Sequence, residues 1–176
     1  MRISARADYA VRAAVFLARV GDGERVAGEK IATEQGIPAT FLEGILSALR
    51  KSGIVDSKRG AGGGYRLASA ASDISVADVI RAVEGPLVYV RDERPSEIEY
   101  PEADTHLVTL WVALRASVRR VLDDTSLEQL ATGALPAEVT ALADDPASWV
   151  SGRFPTMNVD PAAPPITTAT VNLNRD

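Results

Sequence analysis

A basic, glycine-rich stretch lies between two short strand-like segments. Residues 54–57 (Ile-Val-Asp-Ser) and 65–67 (Tyr-Arg-Leu) contain the β-branched and aromatic side chains that strands favour, and residues 58–64 (Lys-Arg-Gly-Ala-Gly-Gly-Gly) separate them. The pattern predicts a β-hairpin with a cationic tip that carries almost no side-chain bulk. Glycine allows backbone N–H groups and flanking cations to come within hydrogen-bonding distance of a phosphate group.

Three helical patterns precede this hairpin. Residues 4–20 repeat apolar side chains at helical spacing, with Ser4 placed to cap the first turn. Residues 28–35 form a shorter pattern in which Ile31 and Ala32 face inward, and Gly36 suits a left-handed cap. A third helix is expected over residues 39–52, and its inward residues are Phe41, Leu42, Ile45, Leu46 and Leu49. Two short helices joined by a tight turn predict a helix-turn-helix, and the hairpin behind it makes a winged one.

Two further helices are expected after the hairpin. One begins at Ser75, with Asp78 completing an approximate capping box, and it ends at Gly85. After a polar, acidic loop over residues 91–104, a long helix runs over residues 104–122 with one apolar stripe. The stripe consists of Leu107, Leu110, Trp111, Leu114, Val118 and Val121. It could pack on its own domain, but we expect it to pair with the same helix of a second subunit.

The expected fold class is mainly α with a small β-hairpin: a winged helix-turn-helix domain plus a long dimerisation helix. We assign residues 1–86 to the winged domain and 87–132 to the loop and long helix. Residues 133–176 contain six prolines and little periodicity, so we expect a flexible C-terminal tail. A chain of 176 residues can bury a core without disulfides.

The charge is unevenly distributed along the chain. The net charge is −5, yet residues 1–66 hold eleven Lys/Arg and seven acidic residues, which gives +4 there and −9 in the remainder. Chance could produce this asymmetry, but it also allows one end of the molecule to approach phosphate. No apolar leader and no apolar run of membrane-spanning length is evident, so we expect a cytoplasmic protein without membrane contact.

Several motifs in this order resemble the Rrf2 family of winged-helix regulators. They are residues 7–13 (Ala-Asp-Tyr-Ala-Val-Arg-Ala), Ile31-Ala32, residues 41–46 with 49–53, residues 58–68 of the hairpin, and residues 78–86 (Asp-Val-Ile-Arg-Ala-Val-Glu-Gly-Pro). The resemblance covers about the first 86 residues, and Leu110-Trp111 extends it into the long helix. It implies a sequence-specific DNA-binding transcription regulator, expected to be a repressor, that binds a palindromic operator as a homodimer.

The chain departs from the family's sensor members at one point. Those members carry three cysteines before the long helix and hold an iron–sulfur cluster there, whereas this chain contains no cysteine at all. Ligation of a cluster by cysteine is therefore impossible, and we expect no cofactor and no metal. The single His106 is expected to be a solvated loop residue. An effector, if there is one, is a small molecule or a protein partner.

Candidate DNA-binding residues follow from the motif and the resemblance. Thr40, Glu43 and Ser47 of the third helix are placed to meet base edges, and Glu43 can accept from a cytosine amino group, although it could simply be a solvent-facing charge. We expect Phe41 to be a core residue more than a base-stacking one, although its family equivalent lies near the DNA backbone. Phosphate or minor-groove contacts are expected from Ser4, Arg6, Arg50, Lys51, Lys58, Arg59, Gly60, Gly62 and Gly63.

Two other classes of function fit the sequence less well. Residues 60–65 superficially resemble a dinucleotide fingerprint, but the sixth position is tyrosine and no helix opens after it. With one histidine and no cysteine, the common nucleophile–base arrangements are absent too, so we do not expect an enzyme. The other alternative is a winged-helix protein–protein interaction module without specific DNA binding, which the effect of Arg59→Ala on DNA binding would distinguish.

Overall fold

The first helix, α1, is capped at its ends, and most of the side chains on its buried face are small. In the computed structural model, which describes residues 3–21 and 23–150, α1 spans Ala5–Val20. The Ser4 hydroxyl accepts a hydrogen bond from the Ala7 N–H at 3.0 Å, as the sequence predicts. Four alanines of α1 are fully buried, and α3, α4 and α6 pack around the helix. Small side chains allow such close packing of neighbouring helices.

The two helices of the helix-turn-helix have the predicted bounds, except that the second ends one residue earlier than predicted. Helix α2 spans Gly28–Gln35 and α3 spans Ala39–Lys51. Gly36 adopts a left-handed φ of 59°, and the N–H of Ile37 donates to the Ala32 carbonyl at 2.9 Å, which closes the end of α2.

The inward face of α3 differs from the prediction at one residue. Leu42, Ile45, Leu46 and Leu49 are buried, but Phe41 is 50% exposed. The expectation that Phe41 is a core residue is therefore wrong. Phe41 lies at the edge of the apolar face, where a helical repeat cannot distinguish a buried position from a half-exposed one. Its ring contacts that of Tyr9 edge-on, with the two ring centroids 6.0 Å apart.

The predicted wing is a two-stranded antiparallel hairpin. Strand β1 (Val55–Lys58) pairs with β2 (Gly64–Leu67) in a register that places Val55 opposite Leu67 and Lys58 opposite Gly64. On its other edge β2 pairs with Val26, through two backbone hydrogen bonds of 2.8 Å between Val26 and Tyr65. The wing is thus anchored on the segment that leads into α2.

Helix α4 spans Val76–Glu84 and begins with the expected capping box of Ser75 and Asp78. Helix α5 spans His106–Asp123, and short 3-10 turns lie at Ala71–Asp73 and Glu102–Asp104. Within the described part of the chain, no residue of α5 is fully covered, and the helix packs chiefly on α4.

A further helix, α6 (Leu127–Thr132), returns to the core of the winged domain. Leu127 is fully buried in the same cluster as Leu42 and Leu49. Its N–H donates to the Ile74 carbonyl at 2.9 Å, and the N–H of Val76 donates to the Thr125 carbonyl at 2.9 Å. The sequence prediction places residues 127–132 with the long helix, whereas in the structure Leu127 belongs to the core of the winged domain. The domain boundary at residue 86 stays a prediction.

The chain divides into two compact units, Met1–Pro136 and Ala137–Asp176. The second contains helix α7 (Ala137–Asp144) and a 3-10 turn at Pro146–Trp149. Both lie within residues 133–176, for which the sequence predicts a Pro-rich, flexible C-terminal tail. The remainder of that tail, residues 151–176, lies outside the described residues. Among the helices described, none is both long enough and apolar enough to cross a bilayer.

Candidate nucleic-acid interface

The start of α3 presents polar and aromatic side chains to solvent. Thr40, Phe41 and Glu43 are exposed, and Gly44 leaves open space beside them, whereas Ser47 is half-buried. The buried leucines and isoleucine on the other side of α3 fix the rotation of the helix. The exposed face is therefore held in place by the core.

A cluster of Tyr9, Arg12 and Phe41 supports this face from α1. The guanidinium of Arg12 lies 5.6 Å from the centre of the Tyr9 ring, and it also donates to the carbonyl of Gln35 at the end of α2. An ion pair of 3.5 Å joins Arg12 to Asp8 one turn earlier. Arg12 therefore connects α1 to the turn of the helix-turn-helix, a role that the helical repeat of α1 does not reveal.

The tip of the wing is exposed and cationic. Lys58, Arg59, Gly60 and Gly62 are all exposed, and no carboxylate of the described residues pairs with either cation. Gly60 and Gly62 have φ values of 88° and 69°, which favour glycine. A Cβ on Gly63 would lie 2.4 Å from the Lys58 carbonyl oxygen. The tight loop therefore requires these glycines whether or not a phosphate approaches it.

The base of the wing contains a three-residue ionic network that sequence reasoning missed. Asp56 Oδ2 accepts from Arg25 at 2.6 Å and from Arg66 at 3.2 Å, and Arg25 also donates to the Gly64 carbonyl at 3.3 Å. The hydrogen bond from Arg25 is the main reason why the pKa of Asp56 lies below its ordinary value. Desolvation raises this pKa, and the hydrogen bond from Arg66 lowers it further. Arg25 and Arg66 are thus committed to the fold, which leaves the tip cations as the wing's free charges among the described residues.

The remaining predicted contacts have different surroundings. Arg50 and Lys51 are exposed in the last turn of α3, where they also compensate the helix dipole. Arg6 is exposed in the first turn of α1. The Ser4 hydroxyl, however, donates to the Glu84 carboxylate while it caps α1. An anion at Ser4 would have to displace that carboxylate, so Ser4 is the weakest of the proposed phosphate contacts.

The stripe on α5 is divided between two environments. Leu107, Trp111, Val118 and Val121 are half-buried, and the Trp111 indole N–H donates to the Tyr100 hydroxyl at 3.2 Å. Leu110 and Leu114 are 54% and 40% exposed. Packing on the chain's own domain therefore covers only one flank of α5 and leaves leucines exposed to solvent on the other.

The residues that the chain offers do not fit an iron–sulfur cluster. His106 is exposed at the first position of α5, and the chain has no cysteine. Across residues 3–21 and 23–150, no three His, Asp or Glu side chains are grouped so that they could hold a metal ion. The cluster of the family's sensor members is therefore not carried over to this chain.

Comparison with known proteins gives consistent matches. A family model described as Rrf2, iron-dependent transcriptional regulator, matches residues 3–133. A candidate HTH-type transcriptional regulator of Mycobacterium tuberculosis, Rv1287, is 49% identical over 145 residues, which are 82% of this chain and 90% of that protein. CymR of Bacillus subtilis, an HTH-type transcriptional regulator, is 36% identical over 135 residues, 75% of this chain and 91% of its own length.

Solved structures of such regulators share the fold. The structure of CymR, the global cysteine regulator of Bacillus subtilis, superposes with a TM-score of 0.63 at 34% identity, covering 76% of this chain and 98% of that one. IscR of T. potens gives a TM-score of 0.61 at 32% identity, covering 76% and 88%. The family match spans the helix-turn-helix, the wing, α5 and α6. This chain belongs to the Rrf2 family of transcriptional regulators.

Proposed function

We propose that the protein binds a palindromic DNA operator as a homodimer and represses transcription there, without a cysteine-ligated iron–sulfur cluster. The observation that carries the proposal is the pair of exposed cations at the wing tip, Lys58 and Arg59. No carboxylate of the described residues neutralises them, and the hairpin that carries them packs against α3, whose first turns are exposed. An α-helix fits the major groove of B-DNA, and a cationic loop beside it suits the neighbouring backbone and minor groove.

Backbone hydrogen bonds join the wing to α3. A contact to DNA that uses both the helix and the wing requires such a fixed connection. The N–H of Ile54 donates to the Leu49 carbonyl at 2.9 Å, and the N–H of Ala68 donates to the Ile54 carbonyl at 3.0 Å. These bonds attach the base of the hairpin to the end of α3, and the Val26–Tyr65 pairing holds the outer edge of β2. The spacing between the groove-reading face and the wing cations is then set before DNA is met, so binding orders few additional groups.

Base selection is proposed to reside in Thr40 and Glu43. Both are exposed on the first turns of α3, where a helix-turn-helix meets base edges. A carboxylate repels phosphate and accepts from the amino group of cytosine, so Glu43 contributes discrimination more than affinity. Arg50, Lys51, Lys58 and Arg6 are proposed to contact phosphates, and Arg59 to enter the minor groove.

A second copy of the chain is proposed to cover the exposed leucines of α5. A single unit offers few contacts to DNA, and two units related by a twofold axis double them and require a palindromic site. A dimer seated on an operator excludes other proteins from the same DNA, which is why we propose repression. The effector is proposed to be a small molecule or a protein, because the chain has no cysteine that could ligate a cluster.

The test begins with genomic footprinting of the protein, which supplies the operator. Binding of the purified dimer to that duplex and to a scrambled duplex is then followed by fluorescence anisotropy across a salt series. We expect preference for the operator, and for Arg59→Ala a loss of about 1–3 kcal/mol of binding free energy. Arg120→Ala, on the exposed surface of α5, is the matched control and should bind like the wild type. No preference for any palindrome at physiological salt would contradict DNA-binding function and favour a protein-interaction module.

A further inference from the structure

A groove of about 360 Å³ between α4, the segment after it and α5 is lined by four arginines. Arg81 comes from α4, Arg115 and Arg119 come from successive turns of α5, and Arg94 comes from the intervening segment. Among the residues that the structure describes, no carboxylate lines this groove, although the chain as a whole is acidic. The volume is in the range of small-molecule sites.

Three of the four arginines already have partners. Arg81 pairs with Asp78 at 3.2 Å and with Asp123 at 2.6 Å, and Arg119 pairs with the other oxygen of Asp123 at 2.8 Å. Arg94 pairs with Glu97 at 3.5 Å, and its hydrogen bond with Tyr89 is the main reason why its pKa is raised. These contacts fix the guanidinium groups around the groove.

Arg115 is the exception. It is half-buried, and no acidic, hydroxyl or aromatic side chain of the described residues pairs with it. Carboxylates pair with Arg81, Arg94 and Arg119, which leaves Arg115 as the arginine of this lining without a counter-charge among the described residues. An anion that entered the groove would supply this counter-charge, and guanidinium groups make strong charge-assisted hydrogen bonds to carboxylates and phosphates.

The groove also has an apolar side. Leu87 lines it and packs against the small core cluster of Ala7, Val76 and Ile80, while Pro86 and the half-covered ring of Tyr89 form the neighbouring wall. A bare inorganic ion would leave these surfaces without a partner. The lining therefore suits a molecule that carries one anionic group and a compact apolar body.

We propose that this groove binds a small organic anion, a carboxylate or phosphate ester with an apolar body, with Arg115 as its principal partner. Asp123 joins Arg81 of α4 to Arg119 of α5, so an anion competing for these guanidinium groups would alter the link between the winged domain and the long helix. Use of the site to regulate DNA binding rests on the proposed function, but binding of the anion does not.

The test uses the full chain without DNA and phenyl phosphate as the probe. Its titration is followed by the Nε–Hε signals of the arginines in NMR spectra, with phenol and inorganic phosphate as comparison ligands. We expect a saturable shift of the Arg115 signal with phenyl phosphate, a weaker one with inorganic phosphate and none with phenol. Arg115→Gln should weaken binding roughly tenfold, as the loss of one charge-assisted hydrogen bond predicts.

Arg120→Gln is the matched control, because Arg120 is exposed on α5 and does not line the groove. Shifts that fail to saturate, or equal affinity in the Arg115→Gln variant, would overturn the proposal. Because operator binding is measured separately without the probe, failure of this site and failure of the proposed function give different results.

Discussion

Asp56 and Arg66 lie directly opposite each other across the wing hairpin, with Nη2 of Arg66 3.2 Å from Oδ2 of Asp56. Arg25, which precedes α2, donates to the same carboxylate oxygen at 2.6 Å. One carboxylate thus joins both strands of the wing to the segment that leads into the helix-turn-helix. The two arginines are committed to this network, so the orientation of the wing depends on Asp56, and the DNA contacts proposed for the wing fall to its tip.

Asp56 should make the wing sensitive to acid. Its pKa is lowered in the folded protein by the hydrogen bond from Arg25. A group with a depressed pKa in the folded state stabilises that state above its unfolded pKa, and the contribution is lost as the pH falls through the folded value. We expect Asp56→Asn to remove the contribution of Asp56 to the pH dependence of stability. The melting temperature of the variant should therefore fall less between neutral pH and pH 3 than that of the wild type.

The control for this measurement is Glu34→Gln, because Glu34 is exposed on α2 and pairs with no cation of the described residues. It should leave the pH profile as in the wild type. Identical profiles for Asp56→Asn and the wild type would show that the network at the base of the wing does not contribute to acid sensitivity.

Gly64 should tolerate no side chain. Its φ is 136°, and a Cβ there would lie 2.5 Å from the Val26 carbonyl oxygen, where β2 pairs with the segment before α2. We expect Gly64→Ala to lower the free energy of unfolding by at least about 1–2 kcal/mol, measured by urea denaturation, because left-handed backbone strain alone costs that much.

Gly44→Ala is the matched substitution. It lies in the interior of α3 with open space around the position of a Cβ, so the free energy of unfolding should rise by about 0.5–1 kcal/mol. A Gly64→Ala variant as stable as Gly44→Ala would contradict the close approach of β2 to Val26.

Leu127 should behave as a core residue of the winged domain. It is fully buried among residues of α1, α3 and the wing, so Leu127→Ala should lower the free energy of unfolding by about 2–5 kcal/mol in urea denaturation. Leu142→Ala in α7, where the leucine is exposed, should change it by less than about 0.5 kcal/mol. Equal, small effects of both substitutions would mean that α6 is not part of the folded core.

Elements with local signals could be predicted from the sequence. Ser4, Ser75 and Gly36 are caps that act within one turn of the chain, and the apolar repeat of α3 extends over three turns, so the helix bounds follow from neighbouring residues. The tip of the wing could be predicted for the same reason, because glycine and charge are properties of the segment itself.

The features that were missed depend on contacts between distant residues. Leu127 is buried because α6 returns to α1 across more than a hundred residues, and nothing in residues 126–130 specifies that return. Arg25 contacts Asp56 because the neighbouring Val26 pairs with Tyr65 of the wing. Phe41 is half-exposed because the apolar face of α3 ends beside Tyr9, and a helical repeat does not show where its neighbours stop.

The exposed leucines of α5 lead to the sharpest test of the assembly. Leu110 and Leu114 are one turn apart and 54% and 40% exposed, so a charge at Leu114 should leave the fold of one chain intact. If these leucines meet their copies in a dimer, Leu114→Glu places two carboxylates in an apolar contact, and we expect monomers in sedimentation equilibrium and much weaker operator binding. Val112→Glu is the control, since Val112 is 42% exposed but lies two residues away, about 200° around the helix, and should remain dimeric. A dimeric Leu114→Glu variant with normal operator binding would show that the subunits meet elsewhere than on this stripe.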